Sequence, residues 1–103
     1  MTRTYTVSCS NHDAIFDTED NFSAVSDAIA WAEKHSGPEF TVNIIEVDGA
    51  KVIGSHHMSY RPGSNQWFVF YYDTWYALPH DKIESFFAAS NPGWYLYKNC
   101  KPC

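Results

Sequence analysis

The sequence predicts a single α+β domain, a two-layer sandwich with a mixed five-stranded sheet and two helices on one face. Residues 66–76 contain seven aromatic residues and a valine among eleven, a composition typical of a β-strand. Residues 22–36 and 79–90 carry apolar side chains at helical spacing. The chain has 103 residues, of which 45% are hydrophobic, which suits one domain with its own core. The predicted element order over residues 1–103 is β-α-β-β-β-α-β, with residues 98–103 as a C-terminal tail.

The first two elements are predicted from contrasting periodicities. Residues 4–9 alternate between larger and small polar side chains, which predicts a strand with one solvent-exposed face or a strand at the sheet edge. An acid-rich loop follows over residues 10–21. The apolar stripe of the next segment predicts a helix, with Asn21 or Asp20 as its cap and Gly37-Pro38 at its end. That stripe consists of Phe22, Val25, Ala28, Ile29 and Ala32.

A hairpin is predicted over residues 40–58, because Asp48-Gly49 is a strong two-residue turn signal. This register opposes Glu46 and Lys51, an attractive cross-strand charge pair. A second helix is predicted over residues 79–90, with Ile83, Phe86 and Phe87 buried, and a final short strand over residues 94–97. Because helix-linked strands tend to run parallel, we expect a mixed sheet.

The aromatic segment, residues 66–76, is interpreted as one long strand with two apolar faces. Phe68, Phe70, Tyr72, Thr74 and Tyr76 would form the core face, because this set includes two phenylalanines with no polar atom. The opposite face would then form a binding surface with nearby Arg61, since tyrosine and tryptophan are enriched at interface centres. Its predicted binding residues are Trp67, Tyr71, Asp73 and Trp75.

The charge of the chain is unevenly distributed. Its net charge is −5, but residues 11–48 hold nine acids and one base, which gives that segment −8. We expect this acidic segment to steer a basic partner, and its candidate contact residues are Asp13, Asp17, Glu19 and Asp20. Their spacing does not match a Ca²⁺ loop of the EF-hand type. Direct binding to duplex nucleic acid is not expected, because no basic stripe is present.

Enzyme motifs are absent from the sequence: it has no nucleophile elbow, zinc-protease helix, phosphate loop or deaminase signature. No catalytic residue is therefore assigned. The alternative hypothesis is a small enzyme that uses His56 or His57 with Tyr60, Tyr71 or Asp73 on adjacent strands. The two histidines are neighbours on a strand and should point to opposite faces.

Two short pairs have the spacing of zinc ligands. Cys9-x-x-His12 follows the first predicted strand, and Cys100-x-x-Cys103 follows the last one. If those two strands were parallel, both pairs would leave the sheet at the same end. A third hypothesis is therefore a small domain stabilised by zinc, with Cys9, His12, Cys100 and Cys103 as ligands; otherwise no cofactor is expected.

The leading hypothesis is a small non-enzymatic binding protein, an inhibitor or adaptor. Its acidic, aromatic-rich composition resembles that of small bacterial and phage accessory proteins that block or tune a larger machine. The expected partner is another protein, basic or nucleic-acid-binding, or a second copy of the chain. The start of the chain lacks a secretory apolar region, no apolar run suits a membrane span, and three cysteines are too few for a disulfide framework. We therefore expect a cytoplasmic protein that does not enter a membrane.

Overall fold

A computed structural model of the chain describes residues 3–11, 13–17, 21–36 and 40–102. Within these residues the chain forms six strands and three helices. In chain order the elements are β1 (Arg3–Ser10), β2 (Ile15–Asp17), α1 (Val25–His35), β3 (Thr41–Asp48), β4 (Lys51–Arg61), β5 (Gln66–Tyr71), β6 (Thr74–Leu78), α2 (His80–Ala88) and α3 (Pro92–Asn99).

The α+β class is confirmed, but the sheet is antiparallel and has six strands in the order β2-β1-β3-β4-β5-β6. The prediction of a mixed five-stranded sheet with two helices is wrong in three places. The acidic loop contains β2, the aromatic segment is a hairpin rather than one strand, and the last predicted strand is a helix.

The predicted parallel pairing failed because the chain turns back before α1. β2 pairs with β1 in an antiparallel register that sets Cys9 opposite Phe16. β3 also runs antiparallel to β1 on its other side, with Val7 opposite Ile44. The two strands that α1 links, β2 and β3, are therefore parallel to each other, as expected for a helical crossover, but β1 lies between them.

The aromatic segment bends at a two-residue turn, Tyr72-Asp73. Both residues have positive φ, 50° and 59°, which suits a tight hairpin whose twist matches the flanking strands. Tyr71 and Thr74 are opposite each other next to the turn. Asparagine and glycine usually occupy such a turn, so the aromatic composition concealed it.

Helix α3 replaces the strand predicted over residues 94–97. The side chain of Asn91 accepts a hydrogen bond from the backbone N–H of Trp94 at 3.1 Å, and Pro92 occupies the first turn. This combination of a capping residue and an early proline favours a helix. The predicted tail contacts the sheet, because Pro102 forms a β-bridge with Tyr76.

The core lies between one face of the sheet and the helices. Its sheet side is formed by the inward-facing residues of each long strand, such as Val7, Ile44 and Val69, and its helix side includes Ala28 and Phe86. The buried stripe of α2 is confirmed. α1 is shorter than predicted, and Ala24 rather than an Asn or Asp side chain occupies its N-cap.

The β3–β4 hairpin has a different register from the predicted one. Gly49 and Ala50 form the turn, so Asp48 rather than Glu46 lies opposite Lys51. A β-bulge follows, and beyond it Glu46 pairs with Gly54. This shift takes Glu46 away from the exposed lysine, and the alternation of β3 buries its side chain on the same face as Val42 and Ile44.

Candidate functional site

The candidate site lies on the face of the sheet that points away from the core, called the open face below. Across an antiparallel sheet, directly opposed residues point to the same side. One such row crosses all six strands from β6 to β2. Its members are Trp75, Phe70, His57, Asn43, Ser8 and Asp17.

An aromatic patch, defined as Phe68, Phe70 and Trp75, occupies the β5–β6 end of the open face. The rings of Phe70 and Trp75 have centroids 5.2 Å apart. The His57 ring lies 5.4 Å from Trp75 and 6.0 Å from Phe70. All of these contacts lie within the sheet, and the three aromatic side chains of the patch remain partly exposed.

A basic side chain borders the aromatic patch. The Arg61 guanidinium carbon lies 5.0 Å from the centre of the Phe68 ring, within the range of a cation–π contact. Arg61, Ser59, Phe68 and Trp75 line a shallow groove of about 210 Å³. The patch therefore combines apolar rings with an exposed hydrogen-bond donor.

The other end of the row is polar and then acidic. Asn43 Oδ1 lies 3.4 Å from His57 Nδ1, Ser8 follows on β1, and exposed Asp17 ends the row on β2. Five strand spacings of about 4.8 Å separate Asp17 from Trp75, about 24 Å in all. The open face thus presents an acidic end and an aromatic end on one continuous surface.

The structure divides the predicted aromatic binding residues between the two faces. Trp75 lies on the open face as expected. Trp67 has no exposed surface, and its indole N–H donates to Glu33 Oε2 at 2.8 Å, so its placement on a binding face is wrong. Tyr71 also points to the core side, where its ring meets Phe86 edge-on at 6.3 Å.

The remaining predicted binding residues are exposed or lie outside the described part of the chain. Arg61 is exposed at the patch, and Asp73 is exposed in the β5–β6 turn. Asp13 and Asp17 are exposed near the β2 edge of the sheet. Glu19 and Asp20 lie outside the described residues.

Reversing the two faces of β5 accounts for the residues that sequence reasoning missed. Phe68 and Phe70 were expected in the core, and His57 was weighed only as a catalyst. In a hairpin with a two-residue turn, Phe70 lies opposite Trp75, which brings the patch together. Recognising Tyr72-Asp73 as a turn would have revealed this arrangement.

A second cluster lies on the core side of β3 and β4. The His56 Nε2–H donates to Glu46 Oε1 at 2.8 Å, and both side chains are buried. Arg3 Nη1 lies 3.5 Å from the other oxygen of Glu46. These three residues and Tyr71 help line a pocket of about 430 Å³.

Burial sets the proton affinity of this cluster. It lowers the pKa of His56, although the hydrogen bond and charge of Glu46 act in the opposite direction. Burial also raises the pKa of Tyr71, with smaller contributions from Tyr72 and Glu46. His56 Nδ1 is buried and forms no hydrogen bond within the described part of the chain. The neutral imidazole is therefore the form that this environment favours.

His57 and His56 do point to opposite faces, as expected. His57 is exposed on the open face, whereas the His56 ring packs edge-on against Phe86 and Phe87 at 5.1 and 4.9 Å. Tyr60 does not line the His56 pocket; its hydroxyl donates to Asn65 Oδ1 at 2.6 Å. Asp73 lies apart in the β5–β6 turn.

The two predicted zinc ligands within the described residues, Cys9 and Cys100, do not converge. Cys9 is buried on β1, whereas Cys100 caps α3 near β6, to which Pro102 forms a bridge, four strand spacings or about 19 Å away across the sheet. Two Zn–S bonds of about 2.3 Å each cannot span that distance, so these two cysteines do not share an ion. Burial and the charge of Asp17 also raise the pKa of Cys9 to about 11. His12 and Cys103 lie outside the described residues.

Comparisons with known proteins add no functional assignment to this geometry. Neither protein-family models, nor curated proteins, nor solved structures gave a match to the chain. Among the described residues, no group of three or more His, Cys, Asp or Glu side chains is placed to hold a metal ion. No helix in the described ranges combines the length and apolar character needed to cross a membrane.

Proposed function

We propose that the chain is a small non-enzymatic binding protein, an inhibitor or adaptor, that contacts a basic protein partner through its open face. One observation carries this proposal: a single row of side chains joins exposed Asp17 on β2 to the aromatic patch on β5 and β6. The patch would supply affinity and the acidic end would supply steering. A partner that fits would place an apolar anchor about 24 Å from a basic side chain.

The aromatic end has the composition of an interface centre. Tryptophan and arginine are over-represented among residues that dominate binding free energy, and here Trp75 and Arg61 line one groove with Phe68. The rings are already held against each other, since Phe70 contacts both Trp75 and His57. Little side-chain freedom would therefore be lost on binding.

The charge of the protein favours a basic partner over a second copy of itself. Its net charge is −5 and its isoelectric point is about 5.3. Two identical acidic chains repel each other, whereas a basic surface is attracted and approaches faster. A protein that itself binds nucleic acid would supply such a surface.

Affinity capture with matched baits tests the proposal. The wild-type chain, Trp75→Thr and Ser85→Ala are each immobilised and exposed to an extract of the organism that encodes the chain, at low and moderate salt. We expect one basic protein to be retained by the wild type and by Ser85→Ala, and lost from Trp75→Thr. Threonine suits a strand, and Ser85 is exposed on α2, away from the open face, so the comparison isolates the open face.

Retention must then be reproduced with the purified partner. Isothermal titration should give a 1:1 complex that weakens at least tenfold for Trp75→Thr, the loss expected of a central tryptophan anchor. Equal retention by all three baits, or a partner that binds Trp75→Thr as tightly as the wild type, would overturn the proposal.

A second candidate function is catalysis by the imidazole of His56, as a nucleophile or a general base, in the pocket that it lines. The observation that favours it is the convergence of His56, Glu46 and Tyr71 on one cavity, which the enzyme hypothesis requires. The activated ester p-nitrophenyl acetate is a suitable probe, because neutral imidazoles cleave it. If His56 is catalytic, the wild type should cleave the ester much faster than His56→Gln does and at the same rate as His57→Gln. Equal rates for the wild type and His56→Gln would leave His56 with a structural role only.

A further inference from the structure

A second aromatic cluster lies at the end of the molecule where the β5–β6 turn meets α3. Tyr72, Trp94 and Tyr97 are 73%, 56% and 70% exposed. Together with buried Tyr76 they line one pocket of about 410 Å³. Four aromatic side chains therefore line one open pocket, and three of them have most of their surface in solvent.

The position of Tyr72 is held at an energetic cost. Its φ of +50° is unfavourable for a residue with a bulky side chain. Gly93 at the start of α3 has no Cβ, and a Cβ added there would lie 2.5 Å from a carbon of the Tyr72 ring. The glycine thus lets the Tyr72 ring lie directly against α3. Strained backbone conformations of this kind concentrate at functional sites.

The cluster already attracts a cation within the chain. Lys98 Nζ lies 5.3 Å from the centre of the Trp94 ring, and the Tyr97 ring stacks near Trp94 with centroids 5.5 Å apart. Aromatic faces carry negative potential and bind ammonium groups at this distance. Exposed Asp73, next to Tyr72 in the turn, and the net charge of −5 add long-range attraction for a cation.

The hydrogen-bonding groups of the pocket select among cations. Among its described lining residues there is no carboxylate, and the Oδ1 atom of Asn91 already accepts from the backbone N–H of Trp94. A primary ammonium presents three N–H donors and a guanidinium five, and the side-chain acceptors left for them among these residues are the tyrosine hydroxyls and the second lone pair of Asn91 Oδ1. A quaternary ammonium has no N–H group and needs no acceptor, so the ring faces suit it better.

We propose that Tyr72, Tyr76, Trp94 and Tyr97 form an aromatic cage for a quaternary ammonium group. Two sources supply this chemistry: a free choline-type molecule, or a trimethylated lysine of a protein. The cage is separate from the open face, since Tyr76 points to the core side of β6 and Trp75 to the other side. The cage proposal therefore does not depend on whether the open face binds a protein.

Isothermal titration with matched probes tests the cage. Choline is compared with 3,3-dimethylbutan-1-ol, which has the same shape and no charge, and a short peptide carrying trimethyl-lysine is compared with its unmodified form. We expect choline to bind at least about tenfold more tightly than the alcohol, because the cation–π contribution is absent from the alcohol. Tighter binding of the methylated peptide than of choline would assign the protein-borne source, and the reverse order would assign the free molecule.

Three variants separate a cage from a general apolar surface. Trp94→Leu keeps an apolar helix residue and should abolish the preference for choline over the alcohol. Gly93→Ala should displace the Tyr72 ring and weaken choline binding several-fold. Lys98→Gln removes a positive charge next to the Trp94 ring and should tighten choline binding while leaving the alcohol unaffected.

Circular dichroism confirms that each variant is folded, and Trp75→Thr serves as the control with unchanged choline affinity. Equal binding of choline and the alcohol by the wild type, or a choline affinity that Trp94→Leu does not change, would overturn the cage. Absence of choline and methyl-lysine binding up to millimolar concentrations would do the same.

Discussion

Trp67 and Trp75 lie on opposite faces of the β5–β6 hairpin, so alanine substitution should distinguish the core from the open face. Trp67 is fully buried and its indole donates to Glu33 at 2.8 Å. Replacing a buried tryptophan by alanine costs about 3 to 5 kcal/mol in the free energy of unfolding. The lost hydrogen bond to a carboxylate contributes within that range.

Trp75→Ala should be much milder. The Trp75 ring is partly exposed, and its aromatic contacts are with Phe70 at 5.2 Å and His57 at 5.4 Å. Each such pair contributes about 0.5 to 1.5 kcal/mol, and part of that is regained by water reaching the site. We expect a loss of about 1 kcal/mol, which lowers the melting temperature of a domain of this size by about 4 to 8 °C.

Urea unfolding followed by circular dichroism measures both changes, and Trp67→Phe is included because Trp67→Ala is prone to unfold. Trp67→Phe keeps a ring but loses the donor to Glu33, so we expect a loss of about 1.5 to 3 kcal/mol. A loss above about 3 kcal/mol for Trp75→Ala would make Trp75 a core residue. A loss of only about 1 kcal/mol for Trp67→Ala, well below that of a buried tryptophan, would show that the two faces are assigned the wrong way round.

Three further predictions concern protonation, thiol reactivity and backbone strain. Burial lowers the pKa of His56 below its ordinary value of about 6.5. As the pH falls, the unfolded chain therefore binds this proton at a higher pH than the folded chain does. The free energy of unfolding should decrease between about pH 6.5 and the folded pKa. His56→Gln should lose this part of the pH dependence of unfolding and His57→Gln should retain it; identical profiles for both would contradict the assignment. Cys9 is buried and its pKa is raised to about 11, so it should resist iodoacetamide at pH 8 until urea unfolds the protein. Labelling is read by peptide mass spectrometry, and rapid labelling of Cys9 in the native protein would refute its burial. Asp73→Gly should stabilise the hairpin by about 0.5 to 1 kcal/mol, because glycine tolerates a φ of +59°, whereas a destabilised Asp73→Gly would mean that the aspartate side chain contributes more than the strain costs.

Local periodicity was enough to predict the two longer helices and the central hairpin. Ala28, Ile29 and Ala32 of α1 and Ile83 and Phe86 of α2 are buried as expected, because a helix repeat of 3.6 residues leaves a clear apolar stripe. Strand positions around residues 42–44 were equally clear. In each case one face is apolar and the other polar, so the pattern identifies both the element and its buried side.

The aromatic segment did not carry that information, because both of its faces are apolar. When alternate residues are equally hydrophobic, the pattern does not say which set is buried. Choosing the face with the two phenylalanines as the core reversed the roles of Trp67 and Phe68. The turn at Tyr72-Asp73, where both residues have positive φ, separately hid the fact that Trp75 shares a face with Phe70.

The register and order of the strands also could not be predicted from the sequence. The Glu46–His56 contact depends on a β-bulge in the β3–β4 hairpin, and a bulge of one residue leaves no reliable mark in a single sequence. The zinc hypothesis failed for a related reason. It needed the first and last predicted strands to be parallel, so that both ligand pairs left the sheet at the same end, but the last predicted strand is helix α3 and Cys100 lies near β6, four strands away from Cys9 on β1.

The most direct test of the open face as a binding surface is the kinetics of complex formation with the captured partner, measured by surface plasmon resonance. The acidic end and the aromatic patch should affect different rate constants. Asp17→Asn should lower the association rate about two- to threefold at low salt, with little effect at high salt. Trp75→Thr should raise the dissociation rate at least tenfold, with the association rate nearly unchanged. If neither variant alters either rate, the partner binds elsewhere and the open face is not the interface.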